Sequence, residues 1–392
     1  MNAMHPPGSF KIDPTRGTMS TAVSSQWWSR PEDQRFLDLN SLYDAVDRRR
    51  RIADVRSVSA DKIRLETSRT DPDKISLYLP QEQNPVEPTN WSFGQLCSLV
   101  QAPAGYLRDL PATLAAINLQ HGLVSDRREL IKTMTFDDGR PELRCATSET
   151  YGRVWDAELV EAIQRIAGNG VGDTRWKVPG QIDWSSMRYN PHVDITKDTT
   201  TLYASDRDVF VFLVDDQNPI EAGRLPNGDP DYYFRGFYAW NSEVGSRALG
   251  IATFYLRGVC QNRCIWGMEQ FEQLRIRHTK FAGSRFSAQA APALEHFANS
   301  SPQGFVRGIK AAREAVVART DDERRDFLIG RGFGARETRE IIETVVREEG
   351  RPPESILDFV QGITARARSV PQQDARLDQE KRAQALMSRV SA

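Results

Sequence analysis

Two short runs in this sequence carry side chains whose types and spacing suit chemistry on a phosphate or a carbonyl. The first is Ser205-Asp206-Arg207-Asp208, followed by Asp215 and Asp216. Asp206 and Asp208 have the same parity, so at a strand start both carboxylates project one way and could hold Mg²⁺. A nuclease or other metal-assisted hydrolase uses such a pair to activate water. The competing reading is a turn capped by its own short polar side chains. The second run is Asn241-Ser242-Glu243, just before Gly245. Its serine lacks a Gly-x-Ser-x-Gly frame and an adjacent base, so a turn or helix cap explains the run as well as a nucleophile does.

Metal and nucleotide signatures are thin. The five histidines, His5, His121, His192, His278 and His296, are far apart and form no ligand spacing. Cys260 and Cys264 could share a helical face, but nothing nearby completes a zinc set. No cofactor is expected, with Mg²⁺ at the Asp206–Asp208 pair the one alternative. Gly330-Arg331-Gly332-Phe333-Gly334-Ala335-Arg336 leads into a helical pattern, where free amides can meet a phosphate. It has no Walker lysine and follows no strand, so it reads either as a turn between helices or as a nucleic-acid backbone contact through Arg331 and Arg336.

Charge and aromatic content point further. The chain has 392 residues, with Lys+Arg 52, Asp+Glu 53 and a net charge of −1. That balance excludes a protein whose binding rests on bulk positive charge. The charges are nevertheless segregated. Eight bases and three acids fall between Arg48 and Arg69, and six bases and two acids between Arg257 and Arg285. Seven acids and two bases fall between Asp206 and Asp231. The second basic stretch holds Arg257, Arg263, Arg275, Arg277, His278, Lys280 and Arg285, with Tyr238 and Trp240 among the aromatics just upstream. Arginines beside aromatic rings are the ingredients of a single-strand groove, where phosphates pair with guanidinium groups and bases stack on rings. Aromatics at strand spacing are also what a sheet core requires. The preference for arginine, 43 against nine lysines, also follows from a GC-rich genome.

The elements that must position these residues follow from periodicity. A Pro-, Gly- and Ser-rich tail covers residues 1–25, an α+β core domain 26–300 and a helical C-terminal region 301–392. Phe36 to Arg51 reads as a short helix. Val55–Glu66 alternates and continues to Ile75–Leu79 as a strand pair around Asp71-Pro72-Asp73. Short helices follow from Ser92, Pro103 and Pro111. Leu130–Phe136 and Leu143–Ala146 read as a hairpin, and Trp155–Ala167 as a helix stopped by Gly168. Leu202–Tyr203 and Val209–Val214 read as strands, the latter apolar throughout and so covered on both faces. Helices Phe305–Ala318, Arg324–Ile329, Arg336–Glu348, Ile356–Ala367 and Leu377–Val390 close the chain. The expected class is α+β: an irregular, partly antiparallel sheet domain with packed helices, then an all-helical region.

The run Leu202–Arg285 is distinctive as a whole. It contains Tyr203-Ala204-Ser205-Asp206-Arg207-Asp208, Asn241-Ser242-Glu243-Val244-Gly245, Cys260-Gln261-Asn262 and Arg275-Ile276-Arg277-His278-Thr279. It resembles the phage- and plasmid-encoded proteins grouped as domain-of-unknown-function family 932. Phe93-Gly94-Gln95-Leu96, Tyr106-Leu107-Arg108-Asp109-Leu110-Pro111 and Thr150-Tyr151-Gly152-Arg153 fit the same family, so the resemblance runs from about Phe93 to the C-terminus. Many members follow Cys-x-Asn with Gly, whereas Arg263-Cys264 stands here after Asn262. The resemblance implies a mobile-element protein of the bacterial cell interior, beside replication and recombination functions. It implies no established reaction.

A cytoplasmic location also fits the absence of a signal-like apolar run and the four cysteines, too few for a disulfide framework. Three functions remain. One is a single-stranded-DNA accessory of replication or recombination, an annealing protein and homo-oligomer included. Another is an interaction protein that binds a host or defence protein. The third is a Mg²⁺-dependent nuclease or hydrolase. A membrane partner is not expected.

Overall fold

The computed structural model describes residues 30–80, 82–125, 130–137, 139, 141–179, 182–183, 188–189, 194–225, 228–257, 265–266, 273–367 and 386. The expected tail before residue 26, the turn at Cys260, Asn262, Arg263 and Cys264, and the helix Leu377–Val390 apart from Leu386 lie outside these residues. In chain order the helices are α1 (Leu39–Ile52), α2 (Asn90–Leu99), α3 (Ala104–Asp109), α4 (Ala112–Ser125), α5 (Asp156–Ala167), α6 (Ala282–Asn299), α7 (Gln303–Glu314), α8 (Asp321–Ile329), α9 (Ala335–Glu349) and α10 (Ile356–Ala367). The strands are β1 (Arg35–Phe36), β2 (Ala53–Ser59), β3 (Arg64–Thr67), β4 (Ile75–Tyr78), β5 (Glu87–Pro88), β6 (Leu130–Asp137), β7 (Pro141–Ser148), β8 (Trp176–Lys177), β9 (Ile182–Asp183), β10 (Arg188–Tyr189), β11 (Leu202–Ala204), β12 (Val209–Asp215), β13 (Ile220–Arg224), β14 (Pro230–Asn241), β15 (Leu249–Arg257), β16 (Ile265–Trp266) and β17 (Gln273–Ile276).

The apolar run of β12 is buried at every position and sits inside a nine-stranded sheet, β1-β11-β12-β14-β15-β16, with β8, β13 and β17 paired alongside. All its pairings are antiparallel, as joins between neighbouring strands allow. Alternate residues of β12 and β14 serve opposite faces. Val209, Val211, Leu213, Phe237 and Ala239 pack under α1, α5 and α6 with Leu39, Leu42, Leu159, Ile163 and Phe286. Leu42 and Val46 of α1 are fully buried there, together about 4 kcal/mol of apolar transfer. Asp38 caps α1 by accepting from the Ser41 amide at 2.8 Å.

The opposite face is a layer of rings: Tyr203, Phe210, Phe212, Phe234, Tyr238, Trp240 and Phe254. Phe212 stacks on Phe254 at 4.4 Å between centroids, and Tyr238 on Trp240 at 5.4 Å. Glycine makes room for two of them. A Cβ on Gly236 would come 2.1 Å from Phe254, and one on Gly250 would come 2.2 Å from Trp240.

A second, four-stranded sheet runs β2-β6-β7-β5, parallel only between β5 and β7. With the β3–β4 hairpin and helices α2, α3 and α4 it encloses Ile63, Leu77, Leu96, Leu119, Ile131 and Leu143. The expected hairpin around Asp71-Pro72-Asp73 is present as β3–β4. The segment Val55–Ser59 belongs instead to β2 and pairs with β6, because the 3₁₀ turn Ala60–Lys62 redirects the chain before β3. Met134, Phe136, Cys145 and Val244 join this sheet to the large one.

The C-terminal helices α7 to α10 surround Phe305, Ile309, Leu328, Ile341, Phe359 and Ile363, and share that core with Ile220, Ala222 and Tyr233 of β13 and β14. Gly350 ends α9 in the left-handed conformation at φ 72°. The fold is α+β, with sheets first and helices last. Among the described residues no helix is long and apolar enough to cross a membrane.

Candidate functional site

The turn between β11 and β12 is built by Ser205. Its hydroxyl accepts from the Arg207 and Asp208 amides at 3.0 and 3.2 Å and donates to Asp208 Oδ1 at 2.7 Å. Asp208 is fully buried and takes both terminal nitrogens of Arg30, at 2.7 and 2.8 Å. Arg247 Nε stands 3.7 Å away. Burial alone would push the Asp208 carboxyl up; the charge and hydrogen bonds of Arg30 outweigh it and hold the pKa at about 2.

Asp206, in the same turn, is one-third exposed and 4.0 Å from Arg207 Nε. Arg30 already occupies both oxygens of Asp208, the carboxylate that the expected Mg²⁺ pair would share with Asp206. Asp215 accepts from Arg175 and Asn218, and Asp216 pairs with Lys177. Among the described residues no group of three or more His, Cys, Asp or Glu is placed to hold a metal ion.

The register of β12 on β14 puts Asn241 opposite Val209, so the run after β14 lies against this turn. Ser242 is fully buried, donates to the Arg207 carbonyl at 2.5 Å and accepts from the Ser246 amide at 2.8 Å. Those bonds give Ser242 a structural role in the turn. Gly245 adopts φ +84°, and Trp91 and Gln95 of α2 both donate to the Val244 carbonyl, at 3.1 and 2.8 Å. Glu243 Oε2 accepts from the Asp156 amide at 3.2 Å, and Asn241 Nδ2 donates to Asp156 Oδ1 at 2.8 Å.

Two carboxyls thus meet at the start of α5. Burial pushes both up, and for Asp156 the neighbouring Glu243 and Asp208 add to the rise. Arg153, Arg49 and Arg144 lie within electrostatic reach of Glu243 and oppose the shift without cancelling it. Aromatic faces carry these guanidinium groups: Arg144 lies over Phe136, and Arg153 lies over both Tyr151 and Trp155.

The Arg277-His278-Thr279 run docks beside them. Gly152 donates to the His278 carbonyl at 3.1 Å, and the His278 ring stacks on Tyr151 at 5.1 Å. Burial lowers the His278 pKa, which favours the neutral ring. Gly152 is required for this approach, since a Cβ there would lie 2.0 Å from the Thr279 carbonyl oxygen. The motif segments at 150–153, 205–208, 241–245 and 277–279 therefore converge at one junction between the two sheets. A cavity of about 270 Å³ opens beside it, lined by Gln95, Ser98, Thr147, Ser148, Tyr151 and Gly245 among others.

The expected nucleic-acid residues separate into groups. Arg277, Lys280 and Arg285 are exposed. Tyr238 and Trp240 are not stacking platforms: each is 9% exposed, and their faces are occupied by each other and by Phe210 and Phe254. Sheet burial on both faces, not a groove, set their spacing. Arg257 pairs with Tyr233 along the backbone of β15, and Arg275 with Gly250 on β17; their side chains lie outside the described residues, as do Arg263 and Asn262 altogether.

Arg331 lies over Phe327, 3.6 Å from the ring centre, and donates to the Phe327 carbonyl, closing the end of α8. Arg336 is exposed and pairs with Glu340 at 2.8 Å. Within the glycine-rich run, the Gly334 amide donates to the Glu337 side chain at 3.3 Å. Sequence reasoning missed Phe281, which is 63% exposed between Lys280 and Arg285. Its place in the middle of the basic run was the available signal.

No family model, no curated protein and no solved structure matches the chain.

Proposed function

We propose that the protein binds single-stranded nucleic acid, as an accessory of replication or recombination in the phage- or plasmid-type setting its motifs resemble. One observation carries the reading: the exposed Phe281 ring stands among the exposed bases Arg277, Lys280 and Arg285. A base stacked on an exposed ring contributes about 1–3 kcal/mol, and the flanking cations take the phosphates on either side. The bond between Gly152 and His278 holds this segment against the two-sheet junction, so the ring and cations are presented from a fixed base.

A titration of a fluorescent oligo-dT by anisotropy tests it. Three phosphate contacts predict a slope of log affinity on log salt of about −2. Absence of binding at ~50 mM salt rejects the reading.

A second reading, an interaction protein, has its own observation. Helix α4 has no charged residue, and Leu114, Ile117 and Val124 remain exposed on it beside Tyr106 of α3. Self-association through this face would appear as a concentration-dependent dimer in mass photometry that Ile117→Glu abolishes.

A further inference from the structure

The four-stranded sheet ends on one side in β5, two residues long, and on the other in β2, seven residues long. Among the described residues β2 pairs with β6 alone, in unbroken register from Ala53 on Phe136 to Ser59 on Leu130. It has no proline, glycine or lysine and no bulge, the devices that keep an edge strand from recruiting another. Val55 is 37% exposed there, and Arg56 and Ser57 are exposed beside it.

Hydrogen bonds elsewhere in the sheet fix which backbone groups of β2 face outward. The Ala146 amide donates to Gln95 Oε1 at 3.0 Å, so Ala146 turns its backbone groups away from β6. Its partner Thr133 therefore turns its own toward β2, where it faces Arg56, and the Thr133 hydroxyl adds a bond to the Arg56 carbonyl at 3.2 Å. Asp54, Arg56 and Val58 thus direct their backbone groups at β6. Ala53, Val55 and Ser57 turn theirs to the open edge, and the Ala53 amide accordingly bonds the Arg50 carbonyl of α1.

The strand that fits this edge is β2 itself. With a two-fold axis at Val55, two copies run antiparallel with Val55 opposite Val55, a pair that exchanges both backbone bonds, and Ser57 opposite Ala53. Asp54 of each copy then faces Arg56 of the other in the non-hydrogen-bonded positions, where Cα atoms approach to ~4.5 Å and side chains meet most closely. Asp54 and Arg56 already form an ion pair on one face of each strand, so four alternating charges join across the axis. A shift of the second copy by two residues, the smallest that keeps outward groups facing each other, places Asp54 opposite Asp54 or Arg56 opposite Arg56. Charge therefore selects one register. We propose that β2 is a dimerisation edge: a second copy of this chain pairs its own β2 antiparallel about Val55, joining four strands from each copy into one continuous sheet. This interface is separate from the Phe281 surface and does not depend on nucleic-acid binding there.

The full chain is measured by sedimentation velocity over a range of concentrations, with thermal unfolding as the control for folding. The expected result is a reversible dimer. Asp54→Arg alone and Arg56→Asp alone each set like charges opposite one another twice per dimer, and are expected to weaken it about tenfold or more. The double change, Asp54→Arg with Arg56→Asp, restores opposite charges and returns the dimer. Val55→Cys is expected to give a covalent dimer under air oxidation above the wild-type background, whereas Ser57→Cys, which faces Ala53 and not itself, gives none. Ile117→Glu leaves the dimer intact, which separates this interface from association through α4. A wild-type chain that stays monomeric at every concentration overturns the proposal, and that measurement needs no variant to fold. A dimer that both single charge reversals leave unchanged, or that Ile117→Glu abolishes, overturns it as well.

Discussion

Arg30 and Asp208 form a buried two-pronged ion pair across 178 residues of sequence, with both contacts under 3 Å. The pair holds Arg30, ahead of β1, to the turn that opens β12. Removing one member leaves an uncompensated charge in the interior, which costs about 3–5 kcal/mol. Asp208→Asn is expected to lower the urea midpoint accordingly. A loss below ~1 kcal/mol would show that the site relaxes to admit water.

The same pair fixes a pH dependence. Asp208 is held at about 2 in the fold, below its ordinary 3.8, so it stabilises the folded state above pH 4. That contribution, about 2 kcal/mol, is lost as pH falls from about 4 toward 2. The stability gap between wild type and Asp208→Asn should narrow by about 2 kcal/mol over that interval.

Asp156 has the opposite sign. Its folded pKa is raised, so its contribution is complete below the ordinary carboxyl range and declines as pH climbs toward the raised value. Asp156→Asn keeps the acceptor for Asn241 and removes the titration. The variant should match wild type near pH 4 and exceed it in stability near pH 8; a wild type that stays the more stable at pH 8 contradicts this.

Phe281→Ala should weaken oligo-dT binding by about 1–3 kcal/mol with little effect on stability, because the ring is exposed. Arg277→Ala should lower affinity and reduce the salt slope by about 0.7. An unchanged slope would remove Arg277 from the phosphate contacts.

Gly152→Ala removes no basic side chain, yet its new Cβ would press on the backbone of Thr279 and Lys280. A backbone atom cannot swing aside as a side chain can, so about 1–3 kcal/mol of stability should be lost. Binding of oligo-dT should fall with it. Full binding by a folded Gly152→Ala protein would show that the docking of His278 on Tyr151 is not needed to present Phe281.

Periodicity carries local structure and stops there. It made the buried strand Val209–Val214, the hairpin around Asp71 and the proline-started helices α3 and α4 legible, because each depends on neighbours in sequence. It failed at Tyr238 and Trp240, since a strand covered on both faces has the same alternating aromatics as a half-open groove. Helix α6 went unseen because Pro292 lies inside it. At the junction the motif runs 205–208 and 241–245 stood out, but Asp156 and Arg49 did not. Their roles arise only when α5 and α1 are packed against those turns, and no spacing encodes that contact.

The pairing of β1 with β11 has a consequence for how the molecule is made. Arg35 and Phe36 leave the ribosome long before their strand partners Tyr203 and Leu202. At 5–20 residues per second that delay is on the order of ten seconds or more. The unit around Ile63, Leu96 and Ile131 draws its core from the intervening chain and can collapse first. Helix α1, which needs α5 and the large sheet to cover Leu39 and Leu42, must wait with its apolar face uncovered. The nascent chain is therefore most open to a chaperone, or to pairing with a second copy, in the interval between completing β7 and completing β12.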